Sequence, residues 1–275
     1  MICSFSAEFI IFAQYYIYMT PDIFRTNIVG PIKSRRLGIS LGVNLLPANG
    51  KVCTFDCVYC ECGYNEDHRG GQMPDADVVL SQLETKLKEM KANGDGLDVI
   101  TFAGNGEPTV HPRFAEVIDR TIELRNTYYP NAKVSVLSNA TRMSEPSVHA
   151  ALLKVDNNIL KLDGAFDDTV KLIDQPQSSS YSVKDIVEGM KAFEGKLIVQ
   201  TMFVRGEHNG KAFDNTKPEE VSAWADLMRE IKPKQIMVYS LDRPTPEKAL
   251  TKVSKEEMTE LVKPLMEEGF NISIA

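Results

Sequence analysis

Four of the five cysteines in this 275-residue chain fall within ten positions, in the run Cys53-Thr-Phe-Asp-Cys57-Val-Tyr-Cys60-Glu-Cys62. The first three stand at C-x3-C-x2-C spacing. Three thiolates on one short loop can hold three irons of a cubic 4Fe-4S cluster and leave the fourth iron open to a small molecule. With Cys62 added, the same loop also reads as a four-thiolate zinc site that would staple an interaction module. Zinc sets favour separated C-x2-C pairs, whereas here Cys60 and Cys62 crowd together with no second knuckle, so iron-sulfur is the stronger expectation. Cys62 is then a bystander thiol, or a redox or alternative ligand.

Other polar groups cluster where extended runs end. Thr101-Phe-Ala-Gly104-Asn105-Gly106-Glu107-Pro108-Thr109 is rich in glycine and carries a single carboxylate. On its own it reads as a strand-to-helix turn with a capping glutamate. Ser138-Asn139-Ala140-Thr141 offers short polar side chains, as an Asx turn or helix cap would. In Lys161-Leu-Asp163-Gly164, strand alternation places Lys161 and Asp163 on one face. Two charges on a face inside a fold call for a wet site or for each other. Gln200 and Met202 share a face in the same way, and Ser240, Asp242 and Arg243 close a later run.

The elements that must position these groups alternate. Predicted strands at 39–45, 97–103, 133–138, 158–162, 197–204 and 235–240, with a seventh at 271–274, are separated by segments of helical period, the pattern of βα units winding a parallel sheet. Val79, Leu83, Leu87 and Met90 form one helical stripe, stopped by Asn93-Gly94. Ser182 caps a second, of Val183, Ile186, Met190 and Phe193. Ser254 and Glu257 make a capping box for a last helix with core positions Leu261, Leu265 and Met266. Val221, Trp224, Met228 and Ile231 make a further core stripe. The segments 63–73 and 205–217 read as polar, mobile loops. Six units would curl into a barrel or a partial barrel, and ligands of such folds gather at the C-terminal ends of the strands, where the motifs above lie.

Composition narrows the classes. With 43% hydrophobic residues the chain can bury a large core. We expect one core domain over 30–275 and an N-terminal extension over 1–29, with Met19 as an alternative start that would make Cys3 incidental. The formal net charge of -7 disfavours nucleic acid as a partner, although Lys33-Ser-Arg35-Arg36 is a local basic patch able to touch phosphate. Clustered, odd-numbered cysteines fit a cytoplasmic, metal-directed role rather than a disulfide framework. The apolar run 9–19 is too short for a membrane span.

With Tyr59 just before the last cysteine of C-x3-C-x2-C, and the motif following a first strand, the chain resembles the radical S-adenosylmethionine (SAM) superfamily. The turn at Gly104-Asn105-Gly106-Glu107-Pro108 resembles that family's Gly-Gly-Glu-Pro motif, with Asn105 in place of the first glycine. The resemblance implies an α/β, partial (β/α)6 TIM-like barrel. It implies a 4Fe-4S cluster on Cys53, Cys57 and Cys60 whose open iron chelates SAM, with reductive cleavage to a 5′-deoxyadenosyl radical that abstracts hydrogen from an unidentified substrate. A one-electron donor such as flavodoxin or ferredoxin would supply the electron. Tyr59, Gly104, Asn105, Gly106, Glu107, Pro108, Ser138, Asn139, Lys161 and Asp163 become the expected SAM-binding set, with Glu107 accepting from the SAM amino group. The runs Ser34-Arg-Arg-Leu-Gly38, Leu41 to Pro47 and Gly104 to Thr109 are similar to the iron-sulfur oxidoreductase branch that includes tRNA wyosine synthases, so tRNA-base modification is an alternative. An iron-sulfur electron carrier is the alternative from another class.

Overall fold

The structure, a computed structural model, describes residues 23–34, 37–67 and 70–275. Expectations that fall on Cys3, Met19, Arg35 and Arg36 lie outside the described residues. The strands are β1 (Ile28–Ser34), β2 (Gly38–Val43), β3 (Val99–Phe102), β4 (Lys133–Ser138), β5 (Asn157–Lys161), β6 (Ile198–Met202), β7 (Val204–His208), β8 (Lys211–Asp214), β9 (Gln235–Tyr239), β10 (Leu250–Lys252) and β11 (Ile272–Ile274). The helices are α1 (Ala76–Asn93), α2 (Phe114–Tyr128), α3 (Pro146–Leu152), α4 (Asp167–Ile173), α5 (Val183–Lys191), α6 (Pro218–Ile231) and α7 (Lys255–Glu267). A short 3-10 turn spans Pro108–Val110.

Strand alternation explains the architecture. Leu41 and Val43, Ile100 and Phe102, Val134 and Val136, Leu160 and Leu162 face the helices and join them in the main core. The residues between them, Ser40 and Gly42, Thr101 and Ala103, Leu137, Ile159, point to the other side and line a cavity. The main sheet runs β1-β2-β3-β4-β5-β6-β9-β11, parallel throughout except for β1, which is antiparallel to β2. Its register pairs Val43 with Phe102, Phe102 with Val136, and Val136 with Asn158. Residues of β1 at one edge and of β9 near the other line one cavity, so the sheet curls into a half-barrel whose helices cover its outside. The seven predicted strands all form, and β1 is an additional edge strand.

The glycine and serine signals at helix ends work as chemistry predicts, while the Glu257 carboxylate pairs with Arg205 instead of closing the expected capping box. Gly94 ends α1 with φ 75°, a left-handed conformation that glycine adopts without a Cβ penalty. Ser182 and Ser254 accept from the backbone N–H of Asp185 and Glu257. Trp224 is buried in α6, and its Nε1–H donates to Thr201 Oγ1 at 3.1 Å.

Three expectations are corrected. The run 197–204 is two strands, because the chain turns at Phe203 out of the barrel sheet. The segment 205–217 is largely a β-hairpin, β7 and β8, which with β10 makes a separate antiparallel sheet in the order β10-β7-β8. Asn215 holds this sheet to the barrel, its Nδ2 donating to the Asp163 and Met202 carbonyls at 2.7 Å and its Oδ1 accepting from Val204 N at 2.8 Å. In α7, Leu265 is buried and Leu261 packs against the core as expected, whereas Met266 is 44% exposed; Met258 and Val262 complete the buried stripe.

Candidate functional site

The cysteine loop leaves β2 at the C-terminal edge of the sheet and is held from two sides. On one side Val52 bridges Gly106, with Val52 N donating to the Asn105 carbonyl at 2.9 Å and Glu107 N donating to the Val52 carbonyl at 3.0 Å. Gly106 has φ 129°, and a Cβ there would lie 2.0 Å from the Val52 carbonyl oxygen. Only glycine permits that approach. On the other side the residues following α4 run along the loop: Asp56 N donates to Asp174 O, Val58 N to Ile173 O and Gln177 N to Thr54 O, each at 2.9 Å. Gln175 Nε2 adds a bond to the Asp56 carbonyl at 2.8 Å. Beneath the loop, buried Lys51 donates to Gly63 O at 2.6 Å and pairs with Asp56 at 3.2 Å. Burial works against its charge, but Cys60, Cys53 and Asp56 hold its pKa above the ordinary lysine value.

Cys53, Cys57 and Cys60 line one cavity of about 290 Å³, together with Tyr59, Glu107, Ser138, Asn139, Lys161, Gln200 and Tyr239. Cys62 is not part of that wall; its sulfur lies 3.5 Å from the Gly104 carbonyl. Among the described residues no three Cys, His, Asp or Glu side chains converge as ligands of one ion. Thiols spaced along one wall suit a polynuclear cluster, whose irons occupy separate corners. The thiols differ in acidity. A hydrogen bond with Cys62 lowers Cys60 to about 6 despite burial, whereas burial pushes Cys53 up to about 12 and Cys57 well above the usual thiol range.

Facing the thiols are the groups that end β3 and β4. Glu107 is buried; its Oε1 accepts from Thr109 N at 3.0 Å, Thr109 Oγ1 at 2.6 Å and Ser138 Oγ at 2.9 Å. Its Oε2 accepts from Asn139 N at 2.6 Å and so keeps lone-pair capacity toward the cavity. Burial raises the Glu107 pKa, and these donors work against that rise. Asn139 Nδ2 lies 3.7 Å from Cys53 Sγ and donates to Thr54 Oγ1 at 2.8 Å. Gly104 also lines the cavity, and a Cβ on it would meet Asn44 Oδ1 at 2.3 Å. Asn105 faces elsewhere. It is fully buried, with its amide donating to Phe24 O and Pro47 O and accepting from Phe24 N, so it fastens the incoming chain to the turn. Pro108 is buried at the start of the 3-10 turn, outside the cavity wall.

At the back of the cavity Lys161 donates to Tyr59 Oη, its Nζ lies 4.6 Å from the Tyr59 ring centre, and Tyr59 Oη donates to Asp163. Lys161 and Asp163 also pair at 3.4 Å. Lys161 reaches the cavity, while Asp163 stays behind it, its Oδ1 accepting from Met202 N at 2.8 Å. Asp174 joins this network by accepting from the Cys57 thiol at 3.1 Å. Burial, reinforced by Asp163, raises Asp174 to about 8. Lys51, Asp174, Gln175 and Asn215 carry no sequence signal of their own, because their partners lie in other elements.

A family model described as Radical SAM superfamily matches residues 50–217, more than half of the chain and all of the cavity wall except Tyr239. The chain belongs to the radical SAM superfamily. A UPF0026 protein of Helicobacter pylori is 28% identical over 236 residues, covering 84% of this chain and 71% of that protein. Among solved structures, SuiB of Streptococcus suis bound to S-adenosylmethionine superposes with a TM-score of 0.59 at 15% identity, over 85% of this chain and 50% of that one. The chain thus spans about half the length of SuiB. TYW1 with a lysine-pyruvate adduct superposes with a TM-score of 0.57 at 16% identity, over 84% of this chain and 74% of that one. These likenesses show a common fold, and the half-barrel described above is the radical SAM partial barrel.

Proposed function

We propose that this radical SAM protein is an enzyme that binds a 4Fe-4S cluster through Cys53, Cys57 and Cys60 and SAM in the adjoining cavity. The observation that carries this is the single cavity lined both by those three thiols and by Glu107, Ser138 and Asn139. When bound by these thiols, a 4Fe-4S cluster would supply one-electron chemistry for the reductive cleavage of SAM, and so for hydrogen abstraction from a substrate. Glu107 Oε2 accepts from the SAM amino group. Gly106 keeps the turn close to the cysteine loop and Gly104 keeps it close to Asn44, and both line the cavity that would take the methionine end. Asn139 fixes the position of Thr54 beside Cys53. Lys161, braced by Tyr59 and Asp163, presents its ammonium group to the cavity's polar ligand. Phe55 and Met202 contribute apolar surface that excludes water from the radical.

The test is anaerobic reconstitution with iron and sulfide, followed by SAM and a chemical reductant. The expected results are a SAM-dependent change in the electron spin resonance signal of the reduced cluster and formation of 5′-deoxyadenosine. A colourless protein carrying stoichiometric zinc would sink the proposal, and a cluster indifferent to SAM would leave an electron carrier.

A further inference from the structure

The cysteine loop is folded back on Lys51. This residue stands two positions before Cys53, and its Nζ donates to the carbonyl of Gly63, three positions after Cys60, at 2.6 Å. Gly63 N in turn donates to the Cys60 carbonyl at 3.0 Å, so one side chain ties together the two ends of the segment that carries the three thiols. Holding a carbonyl asks only for a hydrogen-bond donor, which neutral side chains also supply. A lysine adds charge, and this charge is out of water, with 1% of the side chain exposed. Its acidic partner, Asp56 at 3.2 Å, is 26% exposed and also accepts from Asn65 N at 2.8 Å. Water screens the carboxylate more than the ammonium, so the pair leaves a net positive field on the loop. That field reaches Cys60, Cys53 and Cys57, and Cys60 most strongly. Lys161 also acts on Cys57 and Cys60, but it lines the cavity beside the SAM groups and pairs with the buried Asp163 at 3.4 Å. Lys51 lies off the cavity wall, so its charge serves the thiols rather than SAM.

From this placement we infer that Lys51 is a positioning residue that raises the reduction potential of the cluster, its buried charge acting through the loop that holds Cys53, Cys57 and Cys60. This rests on the assignment of those thiols to a 4Fe-4S cluster. One-electron reduction adds a negative charge where three thiolates already stand, and a fixed cation out of water favours the form that carries more negative charge. No bond forms or breaks in that step: the electron comes from an external one-electron donor, and Lys51 keeps its proton throughout. A higher potential brings the site within reach of weaker donors.

The test is a dithionite titration of the anaerobic full chain, reconstituted with iron and sulfide and free of SAM, in the presence of redox mediators. The reduced cluster is followed by electron spin resonance. Lys51→Gln keeps a donor for the Gly63 carbonyl and removes the charge. At a fixed potential its ratio of reduced to oxidised cluster should fall about tenfold, a midpoint shift of about 59 mV to the negative side. Lys51→Arg keeps the charge and should recover most of that loss. Asp56→Asn keeps an acceptor for Lys51 and Asn65 but removes the counter-charge, so its midpoint should move the other way. A role confined to tying Gly63 would move no midpoint in loaded protein. An unchanged midpoint in loaded Lys51→Gln, an equal fall in Lys51→Arg, or a fall in Asp56→Asn would overturn the inference. If Lys51→Gln takes up no iron, Asp56→Asn decides, and a midpoint that does not rise overturns it. Iron and sulfide content of the wild type and its spin resonance response to SAM report on the cluster assignment itself. A wild type without iron defeats that assignment, whereas loaded proteins with equal midpoints defeat only the role of Lys51.

Discussion

At the scale of single residues, the site depends on atoms that are absent as much as on those present. Gly106 lets the Val52 carbonyl occupy the place of a side chain, and its φ of 129° is one that L-residues rarely adopt. Gly106→Ala should therefore lower stability by at least ~2 kcal/mol in denaturant melts and also weaken iron retention, since the bridge it breaks holds the cysteine loop. A variant with unchanged midpoint would show that the loop is held elsewhere. The two kinds of cysteine can be separated by composition. Cys57→Ala should lose the reconstituted iron and sulfide, whereas Cys62→Ala, whose sulfur lies beside the Gly104 carbonyl and off the cavity wall, should retain both. Loss of iron from Cys62→Ala would make Cys62 a ligand. The cysteines were legible because their chemistry is written in their spacing. Asp174 was not, because it reaches Cys57 across 117 positions of chain.

Among the elements, the hairpin of β7 and β8 shows a local signal that polar composition hid. His208-Asn209-Gly210-Lys211 carries the Asn-Gly dipeptide of a two-residue β-turn, and both central residues have the positive φ that such a turn requires, 50° and 72°. Reading the surrounding charges as a mobile loop overlooked it. The hairpin is tethered by His208 Nδ1, which lies 2.9 Å from Glu247 Oε2 and 3.4 Å from Tyr64 Oη. The hydrogen bond with His208, followed by the backbone N–H of Ala249, holds the Glu247 carboxyl below its ordinary value of 4.5. A carboxyl so depressed binds its proton more readily once detached, so the tether is intact above that value and is lost as pH falls below it. The protection of amides across 204–214, taken relative to their intrinsic exchange rates, should therefore fall on acidification through that range in the wild type. Glu247→Gln should remove this acid-dependent step; an equal loss of protection in both proteins would show that Glu247 is not the cause.

For the molecule as a whole, the cysteine loop is braced from afar in sequence by Gly106 after β3 and by the end of α4 with the stretch after it, and locally by Asn65, which donates to the Phe55 carbonyl at 2.9 Å. None of these braces passes through a metal. The iron-free protein should thus keep slow hydrogen exchange at the Val58 amide, which donates to Ile173 O at 2.9 Å, and at the Cys60 amide, which donates to Cys57 O at 3.0 Å. Exchange at the rate of an unstructured peptide would mean that the cluster folds the loop instead. A loop formed in advance lowers the entropy cost of assembling the cluster, as preorganisation does at any binding site.

The sequence by itself determined the βα alternation, the helix caps, the three-cysteine spacing and the placing of polar motifs at strand ends. All of these are short-range patterns, set by strand period, by backbone donors at helix ends and by neighbours a few residues apart. Only the tertiary structure decided which of those groups meet. It turned Asn105 away from the cavity to fasten the incoming chain, and set Lys161 between Tyr59 and Asp163. It also brought Asp174 and Gln175 against the cysteine loop and set Gln200 on the walls of two cavities. These outcomes depend on how the sheet curls and how its loops pack across one another, and no local pattern in the chain encodes that.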